Sequence, residues 1–336
     1  MASSRVAALS SPGLAGPRAG LAAPDGARAA PSKGRRSEPE APVALNLRHR
    51  LAAAACAALV AGPAFAEPLE LLPNGLAVAQ VSLDGRGPYR FVIDTAATNT
   101  SLLKPYWVAV GGPPATSKSL TIQGAGGAAT VPLVPVAKLA TAGRVVEGLE
   151  AYQLPPNPAD DLGAHGILGA DVLTRHVLEL DAPGKAWRLL DRTPAADEGL
   201  AAAPFVLDAG RTPRLTVRVN GVEVRAIIDT GAARTIMNWA AAEALGVRRD
   251  ETLAAGGTAG GVGGSTALVK RRFDSLAVAG STRTDVELRV GDLPIFGALG
   301  LADGPGVIVG MDQFADRRLL IDYPNLRLRV APPAGV

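Results

Sequence analysis

Phe91-Val92-Ile93-Asp94-Thr95-Ala96-Ala97 and, 135 residues further on, Ala226-Ile227-Ile228-Asp229-Thr230-Gly231-Ala232 are two versions of one pattern. Each is an apolar run with the character of a buried strand. Each ends on Asp-Thr, then a small residue, then Ala. An aspartate at the end of such a strand is costly to bury unless it is paired or put to use. Two copies in one chain suggest two carboxylates brought face to face, the arrangement an acid/base dyad needs to activate a water molecule.

The repeat extends beyond the motif. Gly124-Ala125-Gly126-Gly127 follows Asp94 by 30 residues, and Gly261-Val262-Gly263-Gly264 follows Asp229 by 32. Gly166-Ile167-Leu168-Gly169-Ala170-Asp171 then matches Gly306-Val307-Ile308-Val309-Gly310-Met311-Asp312. Asp181 lies 12 residues after Gly169, and Asp322 lies 12 after Gly310; each opens an Asp-x-Pro turn. Landmarks in one order at near-equal spacing mark an internal duplication. The unit is about 120 residues long, with the junction near Asp191–Pro204.

These residues resemble those of the retropepsin-like aspartic proteases, in a form with two lobes fused in one polypeptide. The resemblance covers nearly all of residues 70–330. It implies that the Asp-Thr-Gly-Ala loop carries the catalytic aspartate, that a Gly-rich hairpin forms a flap over substrate, and that an apolar-apolar-Gly segment crosses behind the catalytic strand. Likeness to pepsin-type enzymes is weaker, because those use one flap with a tyrosine and neither Gly-rich hairpin here contains one. The implied catalytic pair is Asp94 and Asp229. Thr95 and Thr230 would brace the two loops across the lobes, with Ala96 and Gly231 beside them. Flap residues would be Gly124, Ala125, Gly126 and Gly127 in one half, and Gly261, Val262, Gly263 and Gly264 in the other. The first loop departs from the family pattern, having Ala96 where glycine is usual; alanine still offers its N–H and fits if φ is negative.

Each motif has a plainer reading. A single Asp-Thr-Gly is an ordinary turn, since Asp and Gly favour turns; its recurrence with the other landmarks argues against that here. Gly124–Ala129 formally matches a dinucleotide fingerprint, G-x-G-x-x-A, but that motif requires a following helix. Thr130-Val131-Pro132-Leu133-Val134-Pro135 cannot supply one. A flexible surface loop is the remaining alternative for the hairpin tips. Beyond residue 66 the only histidines are His165 and His176 and there is no cysteine, so no metal site and no cofactor is expected. Asp171 and Asp312 are expected to serve turn or inter-strand bonding, not catalysis.

Composition fits a globular chain, with 48% hydrophobic residues. Residues 1–66 hold 8 of the 34 Lys+Arg and 3 of the 31 Asp+Glu, leaving 26 basic and 28 acidic residues, a net of −2. The basicity therefore belongs to the leader, and a nucleic-acid or anionic-membrane reading of the rest is rejected. Arg48-His49-Arg50, the apolar stretch Leu51–Val60 and Ala64-Phe65-Ala66 make a signal peptide over residues 46–66, with the mature chain starting near Glu67. The apolar stretch is too short to span a bilayer. Cys56, the one cysteine, lies inside it. Residues 1–45 read as a disordered or misassigned leader, or as an organellar transit peptide ahead of a lumenal signal.

The expected fold is all-β: two pseudo-symmetric retropepsin-like barrel lobes, residues 67–193 and 205–336, joined by a linker at 194–204, with a cleft between them and few short helices. Strands are expected at Ala77–Leu83 and Tyr89–Ile93 around a turn at Asp84–Pro88, and at Leu215–Val219 and Val222–Ile228 around Asn220-Gly221. A helix is expected at Trp239–Leu245, capped by Asn238 and stopped by Gly246, and a shorter one near Pro105. The functional expectation is an exported, periplasmic or secreted aspartic endopeptidase, acting on extended peptide as a monomer, with a swapped dimer as alternative. The rival expectation is an inactive peptide-binding or assembly module on the same fold.

Overall fold

The computed structural model describes residues 66–116, 118–156 and 158–333. The expected leader, nearly all of the signal peptide and Cys56 lie outside the described residues. The architecture is mostly β, in two lobes, with each lobe a closed six-strand barrel.

The barrels form the same way twice. In the first, Ala77–Leu83 pairs with Arg86–Ile93, which runs parallel to Gly166–Leu168. The circuit continues through Ser101–Leu102 and Arg144–Gln153 to Gly127–Thr141, which returns to Ala77–Leu83. In the second, Pro213–Val219 pairs with Val222–Ile228, which runs parallel to Gly306–Val309. Ile236–Met237, Ser281–Val290 and Gly264–Val278 close that circuit. Closure removes free edges. Both faces of the strands that end at Asp94 and Asp229 are covered, with Phe91, Ile93, Ala226 and Ile228 in one apolar cluster and Val92 and Ile227 in two others, which is why they read as continuous apolar runs without alternation. Phe91, Ile93, Ala226, Ile227 and Ile228 have no exposed surface.

Local chemistry sets the hairpins. Asn220 and Gly221 both have positive φ, at 48° and 79°, as a two-residue hairpin turn demands. The first lobe has the same device at Asp84 and Gly85, at 49° and 76°. Its turn is therefore shorter than the five residues expected from sequence, and the returning strand begins at Arg86, before Gly87-Pro88. A helix occupies Trp239–Ala244, where the Asn238 side chain accepts from Ala241 N–H at 2.9 Å and Gly246 follows with φ +82°. The first-lobe helix, Lys104–Val110, has Pro105 in its first turn. At seven residues it is one longer than its counterpart, not shorter.

A third sheet of six strands joins the lobes. At its centre Val177–Asp181 pairs antiparallel with Arg318–Asp322, so the two Asp-x-Pro landmarks lie at its two ends. Ala186–Leu190 and Glu67–Pro68 extend it on one side, Arg327–Val330 and Ala202–Pro204 on the other. Glu179, 2% exposed, accepts from Arg188 at 2.9 Å and lies 3.5 Å from Arg318, which also pairs with buried Asp197. Buried carboxylates are tolerable only when paired in this way. Residues 194–204 thus carry a short 3-10 turn at Ala195–Asp197 and a strand of this sheet.

Candidate active site

The two strands that lead into the Asp-Thr loops end at equivalent points of the two barrels. Asp94 N–H donates to Leu168 C=O at 3.1 Å, and Asp229 N–H to Val309 C=O at 3.0 Å. Each aspartate is thereby pinned to the parallel strand behind it. The crossing is tight: a Cβ on Gly169 would lie 2.5 Å from the Asn99 backbone, and one on Gly310 2.7 Å from the Ala232 carbonyl. Alanine at either place would force the loop away from its strand.

Between the lobes the loops are locked together. Thr95 Oγ1 donates to Ile228 C=O at 2.7 Å, and Thr230 Oγ1 donates to Ile93 C=O at 2.6 Å. Each hydroxyl also accepts the other threonine's N–H, at 3.2 and 3.1 Å. Both threonines are fully buried. Four bonds in a closed square satisfy every polar atom of both hydroxyls and fix the distance between the loops.

The carboxylates stand side by side above this square, in hydrogen-bonding range of each other. Each remains partly exposed. Asp94 Oδ1 accepts from Ala96 N–H at 2.8 Å and Ala97 N–H at 2.9 Å. Asp229 Oδ1 accepts from Gly231 N–H at 2.9 Å. Desolvation raises both carboxyls above the ordinary carboxylate range. For Asp94 the two backbone N–H groups oppose that rise. For Asp229 the Asp94 charge adds to it and drives the group well above the usual range. Two like charges this close do not both ionise readily, so the pair holds one proton in common over a span of pH.

The glycine hairpins meet each other. Gly126 N–H donates to Val262 C=O at 3.0 Å. A Cβ on Gly126 would fall 2.2 Å from the Gly264 backbone, and one on Gly263 would fall 2.4 Å from that of Gly127. Gly124 lies directly against Val262, where a Cβ would fall 2.5 Å from the Val262 Cβ, and Gly261 lies near Ala125. The tips are glycine because two backbones pass at contact distance. Val262 is 7% exposed and packs with first-lobe residues, among them Ile122 and Val131.

Two residues went unnoticed in the sequence. Thr100 and Thr235 each sit six residues after their aspartate. Asp171 accepts from Thr100 N–H at 3.0 Å and Oγ1 at 2.8 Å, and Asp312 from Thr235 at 3.1 and 2.7 Å. The threonine hydroxyls in turn accept from Gly169 and Gly310 N–H. Asp171 and Asp312 thus brace the two Asp-Thr loops from below, the bonding role expected of them. The signal was available: threonine recurs at the same offset in both repeats. Arg211, from the second lobe, also reaches the first loop, donating to Thr98 C=O at 2.8 Å.

No curated protein matches the chain. A family model described as aspartyl protease matches residues 79–172 and 215–313, one segment in each lobe, each spanning one Asp-Thr loop, its glycine hairpin and the crossing strand behind it. Over half of the sequence is covered by that match, and the chain belongs to the aspartyl protease family.

Proposed function

We propose that this chain is an aspartic endopeptidase that hydrolyses peptide bonds with a water activated between Asp94 and Asp229. The observation that carries the reading is the pairing of these two carboxylates within hydrogen-bonding range, on loops that four threonine bonds hold rigid. In the first step the charged carboxylate takes a proton from water. The water oxygen bonds to the scissile carbonyl carbon, and the carbonyl π pair moves onto its oxygen, which takes the proton of the neutral carboxyl. Collapse of the resulting gem-diol returns one hydroxyl proton to the second carboxylate. The C–N bond breaks as the first carboxyl protonates the leaving nitrogen, and the pair again holds one proton.

An extended peptide beneath the hairpins would pair with strand edges for affinity. Gly126 and Val262 exchange a bond that such a peptide must displace or rearrange, so the hairpins act as paired flaps. One chain supplies both aspartates, and a monomer is sufficient. Export to a periplasmic or extracellular space rests on the order of basic, apolar and Ala-x-Ala segments in residues 46–66. A mature N-terminus near Glu67 in the exported fraction supports that address, and residues 1–66 intact on a cytosolic protein overturn it.

The test of the activity is a peptide-library digest with protein lacking residues 1–66, with and without a statine-type inhibitor. Inhibitor-sensitive cleavage at discrete sites supports the proposal. Retained peptides without cleavage at any pH from about 3 to 8 would instead favour a binding module.

A further inference from the structure

The two Asp-Thr-x-Ala loops differ at one position, and that position faces the opposite carboxylate. A Cβ placed on Gly231 would lie 2.2 Å from Asp94 Oδ2, 2.3 Å from its Cγ and 2.8 Å from Oδ1. Glycine there lets the backbone press directly against Asp94. The pseudo-two-fold that carries Gly231 onto Ala96 carries Asp94 onto Asp229. Ala96 has the methyl group that Gly231 lacks, and it packs against the second lobe's apolar cluster, which includes Ile227, Phe296 and Ile308. By that symmetry Asp229 meets a methyl-bearing residue where Asp94 meets bare backbone, so the two carboxylates have unlike surroundings.

Hydrogen bonding is unequal in the same sense. Asp94 Oδ1 receives both N–H groups of its loop, at 2.8 and 2.9 Å. Asp229 Oδ1 receives Gly231 N–H at 2.9 Å, while Ala232 N–H has the Asp229 backbone carbonyl as acceptor at 3.2 Å and is a secondary partner of the carboxylate. N–H bonds favour the charged form and apolar contact disfavours it.

We propose that Ala96 is a positioning residue that makes the pair unequal, keeping the shared proton on Asp229 and leaving Asp94 as the base that takes the proton from water. The role assignment rests on the proposed hydrolysis; the resting place of the proton does not.

Few other ionisable groups bear on the pair. Each aspartate faces the other. Tyr323 lies buried within the field of Asp94, and burial keeps it a neutral phenol. Arg211 and Arg234, on neighbouring loops, act on Asp171 and Asp312. Among the described residues the asymmetry thus has no further charged group behind it and falls to the Ala96/Gly231 difference.

The test is a carboxyl titration by NMR on protein labelled with 13C at the aspartate side chains, with the Asp94 and Asp229 carbons assigned through the backbone. It needs no turnover, so an inactive protein would defeat the proposed function and leave this measurement intact. Asp229 is expected to keep its proton to the higher pH. Ala96→Gly is expected to lower the Asp229 midpoint by about one pH unit, roughly tenfold in proton affinity, and to move the Asp94 midpoint by much less. A merely structural role would leave both midpoints in place. Asp94 titrating above Asp229, or an Asp229 midpoint unmoved in Ala96→Gly, overturns the proposal. In active protein the same variant should bring down the alkaline limb of kcat/KM while its acid limb stays.

Discussion

Thr95 and Thr230 bond to each other twice, each hydroxyl accepting the other's N–H, at 3.2 and 3.1 Å, while donating to the strand before its neighbour. Each loop is therefore held by the opposite lobe as firmly as by its own. Rigid placement of two carboxylates is what a shared proton requires, since even a modest increase in their separation would let both ionise independently.

Thr95→Val keeps the shape and removes the hydroxyl. It strands Ile228 C=O and Thr230 N–H in a fully buried site, at a cost of about 2–4 kcal/mol. Thr95→Ser keeps the bonds and should lose only about 1 kcal/mol, for the methyl group. Urea unfolding of the two variants checks the difference. Equal losses would mean that packing, not hydrogen bonding, holds the loops.

Gly126→Val places a side chain where the Gly264 backbone already lies. The flap tips cannot then interlock. Thermal stability should change little, because the tips are peripheral to both barrels. Peptide kcat/KM should fall at least about tenfold, mostly through KM, because positioning and water exclusion are lost. A variant with wild-type KM would mean that the tips do not close over substrate.

Much of this was legible in the chain because the decisive features are local and occur twice. Asp94 and Asp229 announce themselves by ending apolar strands, and the flap tips by their glycines. Other features depend on partners distant in sequence. Nothing near Gly126 says that it will meet Gly264, or near Glu179 that it will meet Arg318. The central sheet was invisible for the same reason: Ala202–Pro204 is three small residues whose strand exists only because Arg327–Val330 lies alongside. The first-lobe turn is shorter than its sequence suggests: Gly87-Pro88 reads as a loop, whereas positive φ at Asp84 and Gly85 completes the reversal earlier.

Desolvation raises both carboxyls in the folded state, and the Asp94 charge raises Asp229 further, above the value of 3.8 appropriate to the unfolded chain. A carboxyl raised on folding stabilises fully below its unfolded pKa, and that contribution is lost as pH rises through the folded one. Stability should therefore decline from about pH 4 upward as the pair ionises. Asp229→Asn removes the second charge and should be more stable than the wild type near neutral pH, with the advantage shrinking toward about pH 3.5. Denaturation at several pH values checks this; a variant less stable at every pH contradicts it.

Both loops have alanine, Ala97 and Ala232, where a hydroxyl could bond to the carboxylate. Without that bond the pair should give up its shared proton at higher pH, and the activity optimum should be mildly acidic, roughly pH 4–6.5. Ala97→Ser and Ala232→Ser should each move the alkaline limb of kcat/KM downward. An optimum below about pH 3 in the unmodified protein contradicts this account.

The most direct test of the central claim is the turnover of one susceptible peptide by the wild type, Asp94→Asn and Asp229→Asn, with folding checked by circular dichroism. Asparagine keeps the size of aspartate and removes its proton chemistry. Each single variant should fold and lose hydrolysis by at least about a thousandfold, because neither carboxylate works without the other. Near-wild-type turnover by either folded variant would contradict a shared dyad of Asp94 and Asp229.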